Sequence, residues 1–255
     1  MASNIRTEKN DHVLTLTFDR PDKKNALLTS MYADATAALN EAAKDAGVRV
    51  VIITGTGDSF TAGNDLRDFL ENPPMSLDAP VFKFMTRLSQ FSKPVIAAVN
   101  GIAIGIGTTL LFHCDLAYAV PNARFQLPFV NIAIVPEFAS TLLLPRAVVN
   151  VRAAEMLLLG ETFCAERAEN LGIINGVVAP DDLMATVMKT ANTLAAKPPG
   201  ALRQAKALMR ANIAETSERI ALEAEAVRQS LTSAEFKEAA RAFLEKRLPD
   251  FRKFN

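Results

Sequence analysis

In roughly the first 145 residues, segments with the hydrophobic pattern of strands alternate with segments that have the hydrophobic spacing of helices. Short runs rich in β-branched residues predict four strands, because buried strands are built from such residues. Apolar positions three and four apart predict two helices, the first with Thr29 or Ser30 as its N-cap. Strands that alternate with helices predict an α/β core. The predicted strands cover residues 12–18, 48–55, 93–101 and 114–120, and the predicted helices cover 29–46 and 77–91.

Beyond residue 145 the strand signal almost vanishes, and the pattern is helical through the long run 216–247. The stretch KPPG at 197–200 is the strongest linker signal in the chain. We therefore expect an α/β part over residues 1–197 and a helical part over residues 198–255. The helices of the second part are amphipathic, so their apolar stripes must cover either the chain's own core or another subunit.

Composition narrows the possible partners. The chain has 255 residues, 49% of them hydrophobic, which is enough to fill one large core. Lys plus Arg and Asp plus Glu both number 28, and this balance argues against nucleic-acid or membrane-surface partners. The two cysteines fit no metal spacing and no disulfide framework, and the polar start MASNIRTEKNDH is not a secretory signal. We expect a cytoplasmic protein without a metal site.

Two familiar chemical signals are weak in this chain. Gly55 and Gly57 follow a predicted strand, but Phe60 stands where a dinucleotide-binding fingerprint needs its third glycine. His113 and Cys114 are adjacent, and on a strand their side chains would point to opposite faces. We therefore interpret them as core residues and not as a shared ligand pair.

Two glycine-containing loops, at 60–69 and 100–119, each follow a buried strand and lead into a helical pattern. Small residues allow backbone N–H groups to approach a ligand, and helix starts add positive potential. Two such loops on neighbouring strands can aim two N–H groups at one oxygen, as in an oxyanion hole. Tight turns, which α/β folds also build with glycine, are the alternative.

A single acid, Glu137, lies among apolar residues in NIAIVPEFASTLLLPR at 131–146. One interpretation is structural, because Pro136 suits the first position of a helix and an acid in a first turn is favoured by the helix dipole. The other is chemical, because a carboxylate in apolar surroundings makes a strong general base. The pattern alone leaves both open.

Several segments, taken in order, resemble the crotonase (enoyl-CoA hydratase/isomerase) superfamily over nearly the whole chain. They are FDRPDKKNALLTSMYADATAAL at 18–39, DSFTAGNDLRDF at 58–69, the stretch 92–146 and FLEKRLPDF at 243–251. The resemblance implies a spiral of β-β-α units with a C-terminal helical region that forms a trimer or a dimer of trimers. It also implies acyl-CoA thioester substrates, with CoA as part of the substrate and no separate cofactor.

The same resemblance assigns roles to individual residues. The main-chain N–H groups of Asn64 and Ile106 match the two donors that hold the enolate oxygen of the thioester. The remaining matches are to segments that contact CoA. An exposed loop with solvated charges is the alternative for Lys23 and Lys24, and helix packing and surface charge are simpler explanations for Phe243 and Lys246. The matched residues are Lys23, Lys24 and Ala26 at the adenosine end, Ala62, Gly63, Asn64, Asp65 and Leu66 along the acyl-CoA loop, and Phe243 and Lys246 from this or an adjacent subunit.

The departures from the family pattern concern the reaction itself. Hydratases of this family activate water with two glutamates, and those positions hold Thr109 and Phe129 here. The combination of TAGNDLRDF with PFxxxxxxPE resembles the Δ3,Δ2-enoyl-CoA isomerase branch, in which one acid, here Glu137, moves the proton. We expect a 3-enoyl-CoA isomerase. The alternatives are another crotonase-type reaction, such as hydration or thioester hydrolysis, and a non-catalytic acyl-CoA-binding protein.

Overall fold

Ten strands form two sheets in the computed structural model, which describes residues 3–210 and 213–254. The larger sheet has six strands in the order β1-β2-β3-β5-β7-β10, and the smaller has four in the order β4-β6-β8-β9. The strands are β1 (Ile5–Asn10), β2 (Val13–Phe18), β3 (Val50–Gly55), β4 (Ser59–Thr61), β5 (Val95–Val99), β6 (Ile102–Ile104), β7 (Leu116–Ala119), β8 (Arg124–Gln126), β9 (Phe163–Cys164) and β10 (Gly176–Val177).

The chain winds as a spiral, as the family resemblance implied. The pairs β3/β4, β5/β6 and β7/β8 each place their first strand in the larger sheet and their second in the smaller sheet. Within each sheet these strands run parallel, since β3 pairs with β5, β5 with β7, β4 with β6 and β6 with β8 in parallel. Each turn of the spiral therefore brings the end of one short strand beside the end of the next.

Helices connect the turns and cover the sheets. The C-terminal third is almost wholly helical, which confirms the fold class expected from the sequence. The helices are α1 (Thr29–Lys44), α2 (Leu66–Glu71), α3 (Pro80–Ser89), α4 (Ile106–Thr109), α5 (Ser140–Ala147), α6 (Asn150–Ala154), α7 (Ala165–Asn170), α8 (Leu183–Ala195), α9 (Pro199–Met209), α10 (Ile213–Thr232) and α11 (Ala234–Leu244).

The structure confirms the four predicted strands as β2, β3, β5 and β7 and corrects some details. Strand β1 escaped prediction because only its first residue, Ile5, is buried, so its sequence carries no apolar period. The N-cap of α1 is Leu28, and Thr29 is already helical, with its hydroxyl on Asp68. His113 is buried as expected, but it ends a short 3₁₀ helix, Leu110–His113, and not a strand.

Part of the C-terminal helical region packs on the chain's own core. Helix α10 lies against α3 and α5 and buries Ile220, Ala224 and Val227. Hydrogen bonds join the elements on either side of residue 197 to residues that precede β3 and β5. Arg49 donates to the carbonyl of Ala195, and Lys206 donates to that of Lys93. The boundary at residue 197 stays a prediction.

Other apolar side chains of the helical region face outward. Leu208 is 71% exposed, Met209 83% and Leu222 65%. These side chains are available to another subunit, and the oligomeric state stays a prediction. Within the described ranges, no helix is both long and apolar enough to span a bilayer.

Candidate active site

The two glycine loops lie side by side because they follow the parallel neighbours β4 and β6. Gly63 has a φ of +85°, and a Cβ at this position would lie 2.8 Å from the carbonyl oxygen of Ile104. The first loop thus approaches the second so closely that only glycine fits. Gly105, in the second loop, also has a positive φ of +56° and leads directly into α4.

The N–H groups of Asn64 and Ile106 are both left free by this arrangement. Leu27 donates to the carbonyl of Gly63 at 2.8 Å and accepts from the N–H of Asp65 at 2.9 Å. Because Leu27 binds both neighbours of Asn64, the N–H of Asn64 itself faces the other side of the segment. Ile106 is the first residue of α4, where an N–H has no acceptor within the helix. Neither group donates to a described protein acceptor outside its own element.

Tyr32 is a member of the site that sequence reasoning missed. It is buried on α1, and its hydroxyl donates to Oδ1 of Asn64 at 2.5 Å. Burial raises the pKa of Tyr32 well above its ordinary value, and the negative charges of Glu137 and Asp68 raise it further. The hydroxyl therefore stays protonated and remains a donor. Tyr32, Asn64 and Phe69 line a cavity of ≈ 280 Å³ between α1, α2 and α3.

Glu137 is only 6% exposed and has no cationic partner among the described residues. Burial raises its pKa from an ordinary value of 4.5 to about 8, and the charge of Glu223 contributes in the same direction. The hydroxyl of Thr109 donates to Oε1 of Glu137 at 3.3 Å, which lowers the pKa in part. A carboxyl group with these properties exchanges its proton near neutral pH, as a general acid or base does.

The helix-start interpretation of Glu137 is wrong. Helix α5 begins at Ser140 with Ala139 as its N-cap, so Pro136 and Glu137 lie in the turn before it. In that turn Phe138 and Ala139 have φ values of +62° and +56°, although neither is glycine. Such a conformation costs about 1–3 kcal/mol for each residue and persists only where the surroundings impose it. Residues in such conformations cluster at functional sites, where dense packing holds them.

The two positions that the family resemblance matches to hydratase glutamates both lie near the glycine loop at Gly105. Thr109, on α4, places its hydroxyl on Glu137. Phe129 is buried, and its ring lies 4.0 Å from the position that a Cβ on Gly105 would occupy. The two positions that would need carboxylates to share a water molecule thus hold a hydroxyl, which binds Glu137, and a hydrocarbon ring.

The predicted CoA-contacting segments at 23–26 and 62–66 come together. The N–H of Ala62 donates to the carbonyl of Lys24 at 2.9 Å. Lys23 is exposed, and Nζ of Lys24 lies 2.7 Å from an Asp58 carboxylate oxygen on the surface. The carboxylate of Asp65 caps α2 and binds Arg20 at 2.7 Å, so its side chain is engaged within the protein.

Other members of these segments are partly covered. Ala26 and Leu66 are half-buried, Ala26 in the loop that precedes α1 and Leu66 as the first residue of α2. Phe243 and Lys246 are exposed at the end of α11. In the described part of the chain, no hydrogen bond joins the Lys246 side chain to residues 62–66. A CoA contact by Phe243 and Lys246 stays a prediction.

Comparison with known proteins agrees with this fold. A family profile described as Enoyl-CoA hydratase/isomerase matches residues 8–254. The chain is 34% identical to 1,2-epoxyphenylacetyl-CoA isomerase of Escherichia coli K12, covering 94% of each protein. It is also 34% identical to 2,3-dehydroadipyl-CoA hydratase of the same strain, covering 98% of this chain and 99% of the relative.

Among solved structures, that of OdaA from Pseudomonas aeruginosa is similar, with a TM-score of 0.93 and 46% identity over 95% of this chain and 99% of OdaA. The chain belongs to the enoyl-CoA hydratase/isomerase family, that is, to the crotonase superfamily. It is an enzyme of that family. Relatives of similar identity carry the names of both an isomerase and a hydratase, so their names do not decide which reaction this chain catalyses.

Proposed function

We propose that this protein converts 3-enoyl-CoA into trans-2-enoyl-CoA, with Glu137 as the only proton carrier. The observation that supports this most directly is the burial of one carboxyl group with a pKa raised to about 8. The N–H groups of Asn64 and Ile106 are the proposed oxyanion hole. Neither donates to an acceptor outside its own element among the residues that the structure describes, and both lie at the edge where β4 and β6 end.

In the first step the carboxylate of Glu137 removes a proton from C2 of the substrate. The electron pair of the broken C–H bond moves into the thioester group, which becomes a dienolate with its charge on the carbonyl oxygen. Each well-aimed N–H donor stabilises such an oxyanion in the transition state by about 2.7–4 kcal/mol. In the second step the protonated Glu137 returns a proton to C4, and the double bond shifts to the 2,3 position.

One acid suffices for this reaction because one proton is removed from C2 and one proton is returned to C4. No water is consumed. Burial serves both steps, since it raises the proton affinity of Glu137 and keeps water away from the dienolate. Hydration has different requirements. It needs a water molecule held between two acid–base groups, and Thr109 and Phe129 supply neither of them.

The remaining features of the proposal concern substrate binding and assembly. The loop at 62–66 would hold the acyl-CoA thioester, with Lys23, Lys24 and Ala26 near the adenosine end. Phe243 and Lys246 would contact CoA, either in this subunit or from a neighbouring one. The protein would act in the cytoplasm as a trimer or a dimer of trimers, with CoA entering as part of the substrate and no separate cofactor.

Product analysis on cis- and trans-3-enoyl-CoA, alongside 2-enoyl-CoA, tests the proposal. We expect isomerisation by the wild type and a loss of about 10²–10⁴-fold in kcat for Glu137→Gln, with CoA-product binding retained. Glu215→Gln is the matched control, because Glu215 is an exposed glutamate on α10 that binds Arg146 on the surface. It should leave turnover unchanged.

Each alternative has its own outcome in the same assay. Normal turnover by Glu137→Gln contradicts the role of Glu137. Water addition to 2-enoyl-CoA without isomerisation identifies a hydratase, and release of free CoA identifies a thioester hydrolase. Binding of CoA thioesters without any turnover identifies a binding protein.

A further inference from the structure

Glu223 is a buried acid that the proposed reaction does not use directly. It lies in the middle of α10 and is 5% exposed. One carboxylate oxygen accepts from the N–H of Ala139 at 2.5 Å. The other accepts from the N–H of Thr141 at 3.0 Å and from the Thr141 hydroxyl at 2.5 Å. All three donors belong to the turn and first helical residues that follow Glu137.

This turn needs support from outside itself. Phe138 and Ala139 both adopt positive φ angles without being glycine, so local preference opposes the conformation. Two groups from distant parts of the chain hold it, and Glu223 is one of them. The other is His113, whose Nε2 donates to the carbonyl of Phe138 at 2.7 Å and whose ring stacks on that of Phe138 with centroids 3.8 Å apart.

We infer that Glu223 is a positioning residue for the catalytic carboxyl group: it locks the turn 137–141 and keeps a negative charge near Glu137. The inference rests on the proposed role of Glu137. The lock fixes where the carboxyl group stands relative to the two N–H donors. The charge makes the carboxylate of Glu137 a stronger base at the moment when C2 gives up its proton.

The charges around Glu137 and Glu223 are consistent with both roles of Glu223, holding the turn and supplying a negative charge. Burial raises the pKa of Glu223, but its three donors and the nearby Arg219 favour the carboxylate form. Arg219, one turn before Glu223 on α10, reaches the Thr141 hydroxyl at 3.4 Å. On the other side, Tyr32 faces Glu137 from α1 and stays neutral. His113 is neutral as well, since burial lowers its pKa to about 3, and Arg210 beyond it acts in the same direction.

Glu223→Gln tests the inference in the full-length enzyme through the pH dependence of kcat/KM. The substitution removes the charge, so the pKa of Glu137 falls and the acid limb of the profile moves to lower pH. Gln also leaves one of the three donors without an acceptor, so we expect kcat to fall about 10–100-fold as the carboxyl group loses its position. KM should change by less than about threefold, because Glu223 does not touch substrate.

Two further variants separate the charge from the hydrogen bonds. Thr141→Val keeps the charge but removes one donor, so kcat should fall without a downward shift of the acid limb. Glu215→Gln removes a negative charge from the same helix at the surface, where it binds Arg146 of α5. It should change neither quantity. Thr141→Val also keeps the inference testable if Glu223→Gln fails to fold.

A direct titration distinguishes failure of this inference from failure of the proposed function. The protonated carboxyl band of Glu137 can be followed against pH by infrared difference spectroscopy, with Glu137→Gln as the blank. If Glu137→Gln is fully active, the proposed function is wrong, whatever the titration gives. If Glu137→Gln is inactive but Glu223→Gln keeps both the wild-type titration and the wild-type kcat, the role of Glu223 is refuted.

Discussion

The hydroxyl of Thr109 donates a hydrogen bond to Oε1 of Glu137 across 28 positions of sequence, at a distance of 3.3 Å. The family resemblance matches Thr109 to one of the two glutamates that hydratases carry. Here that position holds a neutral donor that stabilises the carboxylate. The position matched to a hydratase glutamate thus carries a hydroxyl group, which lowers the pKa of Glu137.

Removal of that hydroxyl should make Glu137 harder to ionise. Thr109→Val deletes the donor that lowers the pKa of Glu137, so the acid limb of the kcat/KM profile should move to higher pH. At neutral pH we expect about a 3–10-fold loss of activity. Thr109→Ser keeps the hydroxyl and should behave like the wild type. Equal profiles for the valine and serine variants would show that the hydrogen bond has no role in catalysis.

Tyr32→Phe should reduce activity through Asn64. Without the hydroxyl, the Asn64 side chain loses its 2.5 Å hydrogen bond and the loop that carries the main-chain donor is less fixed. A net hydrogen bond of about 1–1.5 kcal/mol corresponds to a loss of about tenfold in kcat/KM. The other tyrosine of the chain, Tyr118 on β7, supplies the control, and Tyr118→Phe should be neutral. Steady-state kinetics of both variants decides the point.

Gly63→Ala should lower activity by more than its effect on the stability of the fold would explain. A Cβ at Gly63 would meet the carbonyl of Ile104 at 2.8 Å, which pushes the two loops apart. Gly172 has a similar φ of +73° but open space around it, so Gly172→Ala carries only the conformational cost of about 1 kcal/mol. We expect at least about a 100-fold loss of activity for the first variant and none for the second. Full activity in Gly63→Ala would argue against a close pair of N–H donors.

Glu137→Gln should stabilise the protein at alkaline pH. The folded-state pKa of about 8 lies above the ordinary value of 4.5, so the folded protein holds this proton more tightly than the unfolded chain. Stability is therefore unaffected below the lower value, falls as pH rises between the two values, and carries the full penalty above the higher one.

Glutamine never ionises and removes this penalty. The gain over the wild type should be on the order of a few kcal/mol at about pH 9 and close to zero at about pH 4. Thermal unfolding at both pH values measures the gain, with exposed Glu215→Gln as the control. An equal gain at both pH values would contradict the raised pKa of Glu137 in the folded protein.

The periodicity of the sequence was sufficient for the main elements. Runs of β-branched residues predicted β3 and β5 because a central parallel strand is buried on both faces and must be apolar throughout. Elements without such a signature escaped prediction. Strand β1 is exposed along five of its six positions, and β9 and β10 are two residues long, so pairing with a neighbour defines them and composition does not.

The residues of the candidate site likewise include some that local sequence predicted and some that it did not. Residue types and spacing, read with the family resemblance, were enough to single out Asn64, Ile106 and Glu137, because glycine loops and a lone acid in an apolar segment are local features. Whether Glu137 starts a helix or is buried before one depends on where α5 begins. That start follows from the turn at Phe138 and Ala139, which distant groups hold in place.

Only the tertiary structure revealed Tyr32, His113 and Glu223 as partners of the site. Glu223 lies 84 positions from Ala139, and Tyr32 lies 32 positions from Asn64. A buried polar side chain must find a hydrogen-bond partner, but nothing in its local sequence states which one. The sequence by itself determined the α/β core with its helical end and the chemical groups available, and the family resemblance implied the spiral. Packing determined which of those groups meet, because it removes water from around them and so sets their proton affinities.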